Sequence, residues 1–297
     1  MRADLNGRLM NENRGGGVNV NPRESGSSEV QTNEHKIRLP ISSSMNRERA
    51  LVTGASSGIG REIARVLAAQ DCDLVICARR RTELEALAEE LTTSHGTTVE
   101  VVTADLSGSA GVEELIRRAG DVDILVNNAG FGTSGNHIDL DVKGELAMVD
   151  LNVRTLTHLS HHYGKQMAAK KSGRILNVAS IAAFQPGPSM ATYCATKSYV
   201  LSYSRALRHE LKPKGVSVTA LCPGPVVTGF QKAAGLNMGS MVMMSAVSAH
   251  KVAAVGVKAM RKGRREVIPG LMNKPMPLIT RLTPVRMQLA IMDSVLK

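Results

Sequence analysis

The chain has no tryptophan, and only three phenylalanines and four tyrosines among its 297 residues. Single-strand nucleic-acid binders stack bases on aromatic side chains. The formal charge of +11 therefore does not by itself point to nucleic acid, and none is expected as a partner. Cysteine is scarce too. Cys72, Cys77, Cys194 and Cys222 fall at irregular spacings with no CxxC pair, which argues against a disulfide framework and against a thiolate zinc set. The adjacent His161 and His162 would point in different directions from a helix, with no repeating ligand partners nearby, so no metal site is expected. The sequence also lacks any uninterrupted apolar run of the roughly 18 to 20 residues needed to cross a bilayer, and any apolar secretory core near its start. A soluble protein of the cytoplasm is the expectation.

The charge that is present is local. From Lys251 to Lys297, ten Lys and Arg stand against Glu266 and Asp293, ten minus two, or +8. Residues 1–44 are rich in Asn, Ser, Gly and Arg without an apolar period and read as a disordered leader, with the functional chain expected to begin near Met45. From residue 45 to about 270, short apolar runs alternate with helical patterns. Strands are expected at Ala50–Thr53, Leu74–Cys77, Val99–Thr103, Ile124–Asn127, Arg174–Val178 and Val216–Leu221. The helices between them carry apolar stripes such as Ile59, Ile63, Val66 and Leu67, or Leu84, Leu87, Ala88 and Leu91. A long helix is expected around Leu146–Lys171 and another around Ala191–Leu211. This alternation implies an α/β, Rossmann-like, doubly wound parallel sheet with three α/β/α layers in a single domain, with ligands at the carboxyl ends of the strands.

The first strand runs into Thr53-Gly54-Ala55-Ser56-Ser57-Gly58-Ile59-Gly60 and opens a helix. Gly54, Gly58 and Gly60 permit a tight turn and close approach, and the helix N-terminus, with Ser56, Ser57 and Ile59, offers N–H groups to a pyrophosphate. About 20 residues on, where a ribose-reading acid would stand, the second strand ends in Arg79 and Arg80. Guanidinium forks suit a 2′-phosphate, so NADP(H) is favoured over NAD(H). Asp105, beside Leu106 at the end of the third strand, is placed to accept from an adenine amino group, or else to cap a helix. Asn127-Asn128-Ala129-Gly130 ends the fourth strand with small residues that let backbone lie against the adenosine.

Ser180 follows the fifth strand, and thirteen residues later come Tyr193 and Lys197, four apart on one helical face. A free phenol, with a pKa of about 10, is a poor catalyst near neutrality; a nearby ammonium and an oxidised nicotinamide both lower it. In order and spacing, Thr53–Gly60, Asn127–Gly130, Ser180, Tyr193 with Lys197, and Pro223-Gly224-Pro225 resemble the short-chain dehydrogenase/reductase family, over nearly everything from Met45 to about Pro269. The TGxxxGxG spacing resembles its simple reductases. The resemblance implies that Ser180 orients the carbonyl, Tyr193 transfers the proton and Lys197 binds the nicotinamide ribose and tunes Tyr193. It also implies that Asn152 holds a water in the proton relay, that Pro223, Gly224, Val226 and Thr228 border the nicotinamide, and that the chain forms dimers or tetramers.

The expected activity is hydride transfer between a nicotinamide and a small-molecule carbonyl or secondary alcohol; the alternative is a catalytically idle dinucleotide sensor or scaffold. A methionine-rich lid at about 229–250, and Ala182, Ala183 and Phe184 after the serine, lean towards a lipophilic substrate. The basic extension, 271–297, is left between closing over the pocket, contacting a membrane surface and pairing with another subunit, with a solvated helix packed on one face as the simplest account.

Overall fold

The computed structural model describes residues 47–227 and 245–296. The leader, Met45, Thr228 and most of the expected lid, 229–244, lie outside the described residues.

Strands β1 (Arg49–Thr53), β2 (Asp73–Ala78), β3 (Val99–Thr103), β4 (Ile124–Asn127), β5 (Gly173–Val178) and β6 (Val216–Leu221) pair in parallel. Two further strands, β7 (Val226–Val227) and β8 (Val247–Ser248), pair only with each other, and β9 (Glu266–Val267) adds to the edge of β6. The seven-stranded order is β3-β2-β1-β4-β5-β6-β9. These strands are short β-branched and aliphatic runs because helices cover both faces, so neither side of the pleat meets water.

One face of the sheet packs on α1 (Gly58–Ala68), α2 (Arg81–His95) and α7 (Ala249–Arg261), through Ile63, Leu67, Leu84, Leu91, Val257 and Met260. The other packs on α3 (Ser109–Ala119) and α5 (Leu156–Lys170), through Leu115, Leu159, Tyr163 and Met167. Helix α6 (Ala191–Leu211) lies across β6 and buries Val200 and Leu201. Truncating one of these fully buried leucines to alanine costs about 2–5 kcal/mol. Because the chain steps outward from β1 in one direction and from β4 in the other, a crevice opens between their carboxyl ends.

The long helix expected over 146–171 is three pieces: α4 (Val142–Val149), a π-helical turn over Asp150–Thr155, and α5. Ahead of α5 the buried positions include Glu145, Asn152 and Thr155 while Leu146 and Val149 are exposed, so no apolar stripe marks the π turn. Beyond β9 come a 3₁₀ turn at Leu271–Asn273 and helices α8 (Met276–Leu282) and α9 (Val285–Leu296).

Candidate active site

The glycine-rich turn is held from below. Thr53 Oγ1 accepts from the N–H groups of Asn128 and Ala129, each at 3.0 Å, and Asn128 Nδ2 donates to the carbonyls of Thr53 and Gly54 at 2.9 and 3.2 Å. The ends of β1 and β4 are thus one unit, and Asn128 is a brace of the turn. Gly54 has φ +68°, open to glycine at little cost. A Cβ on Gly60 would stand 2.3 Å from Asn128 Nδ2 and 2.4 Å from the Gly54 carbonyl oxygen, so α1 approaches the turn more closely than any other residue type permits. Ser57 sits at the N-cap of α1, yet its side chain caps no backbone N–H.

Two arginines converge on Ser56. Arg80 donates from Nη2 to Ser56 Oγ at 3.0 Å and also pairs with Glu83 at 3.2 Å. Arg61, one turn into α1, donates to the Ser56 carbonyl, and its buried Nε has no hydrogen-bond partner among the described residues. An uncapped helix start, a turn that tolerates no Cβ and an unsatisfied guanidinium nitrogen fit a phosphate-bearing dinucleotide. Arg61 escaped the sequence reading because an arginine inside an amphipathic helix resembles any solvated one. Arg79 is exposed and near enough to Asp105 to help hold its carboxyl low. The Asp105 carboxylate accepts from Ser107 N at 3.0 Å and Ser107 Oγ at 2.8 Å. This local turn is the stronger reason for its lowered pKa; the N-cap of α3 is Gly108, so Asp105 does not cap that helix. Leu106 is buried and its carbonyl accepts from Thr155.

Ser180 leaves the end of β5 in extended conformation, with its Oγ accepting from Ala182 N at 3.1 Å. Its hydroxyl is hydrogen-bonded to the phenol of Tyr193, brought over by the first turn of α6. One turn on, Lys197 is buried, with Nζ donating to the Val178 carbonyl at 2.9 Å and standing 5.8 Å from the Tyr193 ring centroid. Burial pushes the Tyr193 phenol up to about 12, with the Ser180 hydrogen bond pulling the other way. Burial also presses Lys197 down to about 8. The lowered phenol pKa expected from helix spacing is therefore not what the protein groups produce together: removal from water outweighs the Ser180 hydrogen bond.

Asn152 sits in the π turn. Its Nδ2 donates to Phe131 O at 2.9 Å and Thr196 Oγ1 at 3.1 Å, and its Oδ1 accepts from Phe131 N at 3.2 Å. A Cβ on Gly130 would come within 2.7 Å of Asn152 Oδ1 and 3.5 Å of Lys197 Nζ. Asn152 thereby joins the loop after β4 to the helix carrying Tyr193 and Lys197. Beneath it, Asn127 Nδ2 donates to Ser160 Oγ at 3.0 Å and Asn177 Oδ1 at 2.9 Å, and Asn177 Nδ2 donates to Ser204 Oγ at 2.9 Å. The asparagine between Leu176 and Val178 in β5 was the available signal for this buried network. Cys194 is buried with its thiol pushed up to about 11, unsuited to nucleophilic work.

Pro223 closes the opposite side, with its carbonyl accepting from Ile181 N at 2.9 Å. Gly224 abuts Asn273, and Val226 is buried in the core beneath α7. A cavity of about 470 Å³ lies elsewhere, at the amino ends of the strands, lined by Arg47, Glu48, Arg49, Asp73, Asp123 and Lys170. Its charges answer one another, as Arg47 with Asp73 and Lys170 with Asp121.

The family model for short chain dehydrogenases matches residues 48–239. The chain belongs to that family, and with it to the oxidoreductases that interconvert CH–OH and C=O groups using a nicotinamide dinucleotide. An uncharacterized oxidoreductase of Staphylococcus epidermidis is 34% identical over 183 residues, covering 60% of this chain and 78% of the relative. A short-chain dehydrogenase from Sphingobium yanoikuyae, solved in complex with NADPH, superposes with a TM-score of 0.71 at 29% identity over 80% of this chain and 96% of that one. A structure described in terms of 7beta-hydroxysteroid dehydrogenase stereoselectivity gives a TM-score of 0.76 at 25% identity, over 83% and 96%. A 3-ketoacyl-(acyl-carrier-protein) reductase from Brucella melitensis, complexed with NADH, gives 0.66 at 30%, over 74% and 96%.

Proposed function

We propose that this protein is an NADPH-dependent carbonyl reductase acting on a lipophilic ketone or aldehyde, the same site running alcohol oxidation in the reverse direction. The observation that carries the reading is the Ser180–Tyr193 hydrogen bond backed by Lys197, at the carboxyl end of β5 and across the crevice from the glycine turn. A catalytically idle sensor would have no use for a buried phenol, hydroxyl and ammonium held together at a cost in desolvation. The preference for NADPH rests on Arg80 and Arg61 converging on Ser56, and on arginines at 79–81, with no acid at the end of β2 before Glu83. The NADPH-bound Sphingobium relative is consistent with it, while the NADH-bound Brucella reductase marks the family's range.

Ser56, Ser57, Ile59, Arg79 and Arg80 would hold the phosphates and adenosine end, with Ala129, Gly130, Pro223, Gly224, Val226 and Thr228 along the nicotinamide half. When bound, NADPH supplies the hydride that the carbonyl carbon takes up. The protein does the rest. Ser180 Oγ–H donates to the carbonyl oxygen and holds it beside Tyr193, whose Oη–H gives up its proton as negative charge builds on that oxygen. Lys197 sets a positive charge behind the phenol, and Asn152 fixes the loop at Phe131 against α6. Lipophilicity is supported by Ala182, Ala183 and Phe184 beside Ser180, and by the steroid-related neighbour.

NADPH oxidation followed over a panel of aldehydes, ketones, acyl thioesters and steroids, with NADH in parallel, tests the reading. Turnover of an apolar carbonyl with NADPH is expected. Silence across the whole panel, or a rate with NADH that matches or exceeds that with NADPH, overturns it.

A further inference from the structure

The segment after Gly270 is folded with its polarity inverted. Within the 3₁₀ turn, Asn273 is buried at 3% exposure, while Leu271 and Met272 stand 80% and 65% exposed. On α8, Thr280 is the buried residue, and Leu278, Ile279 and Leu282 face outward. On α9, the stripe that packs inward is Gln288, whose Nε2 donates to Thr280 O and Thr283 O, each at 2.7 Å, with Met292 one turn on. Val285, Met287, Leu289 and Ile291 face outward from the same helix. A helix on a water-facing surface shows the opposite arrangement. The polar groups inside are satisfied by hydrogen bonds, so the fold has accepted them, and the side chains left outside are those that gain from an apolar medium.

We propose that this face, from Leu271 to Ile291, docks the protein onto an anionic phospholipid bilayer, lying in the interface. Charge selects the occupant. Among residues 271–296, Lys274, Arg281 and Arg286 stand against Asp293 alone. A two-fold contact between copies would set this basic patch against itself with one acid to offset three cations, whereas an anionic leaflet attracts it. Spanning is excluded for these helices: α9, with 12 residues, is about 18 Å long against the roughly 30 Å of hydrocarbon in a bilayer. The face also has a fixed relation to the active site. Gln185 Nε2, five residues past Ser180, donates to Met292 Sδ at 2.7 Å, and Asn273 fills the space over Gly224. Docking by α8 and α9 therefore sets the Ser180 turn beside the bilayer.

Sedimentation of the full chain with vesicles tests this, comparing neutral phosphatidylcholine with mixtures holding about one-third phosphatidylglycerol. The wild type is expected to pellet with the anionic vesicles and at least roughly tenfold less with neutral ones. Leu278→Gln with Leu282→Gln and Val285→Gln should weaken binding by roughly tenfold or more through lost apolar burial. Arg281→Gln with Arg286→Gln should weaken it by roughly 25-fold, at about fivefold per cation. All five positions are exposed, so both variants should melt with the wild type and keep its turnover of a water-soluble carbonyl. That second readout separates failure of docking from failure of the reductase reading. A wild type that stays in the supernatant, variants that pellet like it, or equal binding to neutral vesicles overturns the proposal. So does an oligomer that the leucine variant splits while vesicles bind neither form, which would assign the face to a second copy.

Discussion

The Lys197 ammonium donates to the Val178 carbonyl at 2.9 Å, pinning the second turn of α6 to the last residue of β5. With its pKa at about 8, the charge is present below that pH and lost above it. Loss removes the positive field behind Tyr193 when a phenolate must form. kcat/KM for carbonyl reduction is expected to be level up to about pH 8 and to fall beyond it; a profile level to about pH 10 contradicts the assignment. Stability moves the other way across this window. The folded lysine binds fewer protons than the unfolded one between about pH 8 and 10.4, so the Lys197 contribution to folding rises with pH there. Above about pH 10 the unfolded Tyr193 phenol ionises while the folded one, at about 12, does not, and stability declines.

Replacing Tyr193 with Phe removes the proposed proton donor and keeps the ring. kcat for reduction should fall by about 10²–10⁴-fold, while NADPH affinity, read by fluorescence titration, changes little. Ser180→Ala should cost about 10²-fold in kcat, as for loss of a single donor to a developing oxyanion. Full turnover by the phenylalanine variant would remove Tyr193 from the mechanism.

Much of this was legible in the chain. The strands were visible because a sheet covered on both faces needs unbroken aliphatic runs, and α6 and β6 fall at Ala191–Leu211 and Val216–Leu221 as read from the pattern. The π turn was not, because what holds it is tertiary: Asn152 bonds Phe131, 21 residues away, and Thr196, 44 away. Nor was β9, two residues long and defined by pairing with Ala220 and Leu221. The grouping of Ser180, Tyr193 and Lys197 was readable from their spacing. The sign of the Tyr193 shift was not, since it depends on how far packing removes the phenol from water. The inverted polarity of α8 and α9 was hidden as well, because a periodic pattern shows that two faces differ without showing which one is turned inward.

Arg80→Ala should raise the KM for NADPH and leave the KM for NADH nearly unchanged. A charge-assisted hydrogen bond contributes about 1.5–3 kcal/mol, equivalent to roughly 10- to 100-fold. Arg61→Ala should add to the effect through its unsatisfied buried Nε. Equal rises for both cofactors would mean that these side chains brace the turn at Ser56 without reading a phosphate.

Gly60→Ala tests whether the glycine turn is held by close approach. One neighbour of the new methyl, Asn128 Nδ2, belongs to a side chain, but it is fastened to Thr53 O and Gly54 O and can leave only by giving up both bonds. The other, the Gly54 carbonyl oxygen, is backbone of the turn itself, so relief requires α1 to move away from β1. Overpacking of this kind costs about 1–3 kcal/mol, and the displaced α1 N-terminus no longer meets a pyrophosphate where the turn presents it. The variant should melt several degrees lower and bind NADPH at least roughly tenfold more weakly. Gly144→Ala is the matching control. It lies half-buried within α4, where the added Cβ meets nothing nearer than Asp141 Oδ2 at 3.8 Å, and a helical glycine with that room gains about 0.5–1 kcal/mol on becoming alanine. Two variants with the same melting temperature and the same NADPH affinity would show that the turn yields freely, and that the contact between Gly60 and Gly54 is not what shapes the phosphate cradle.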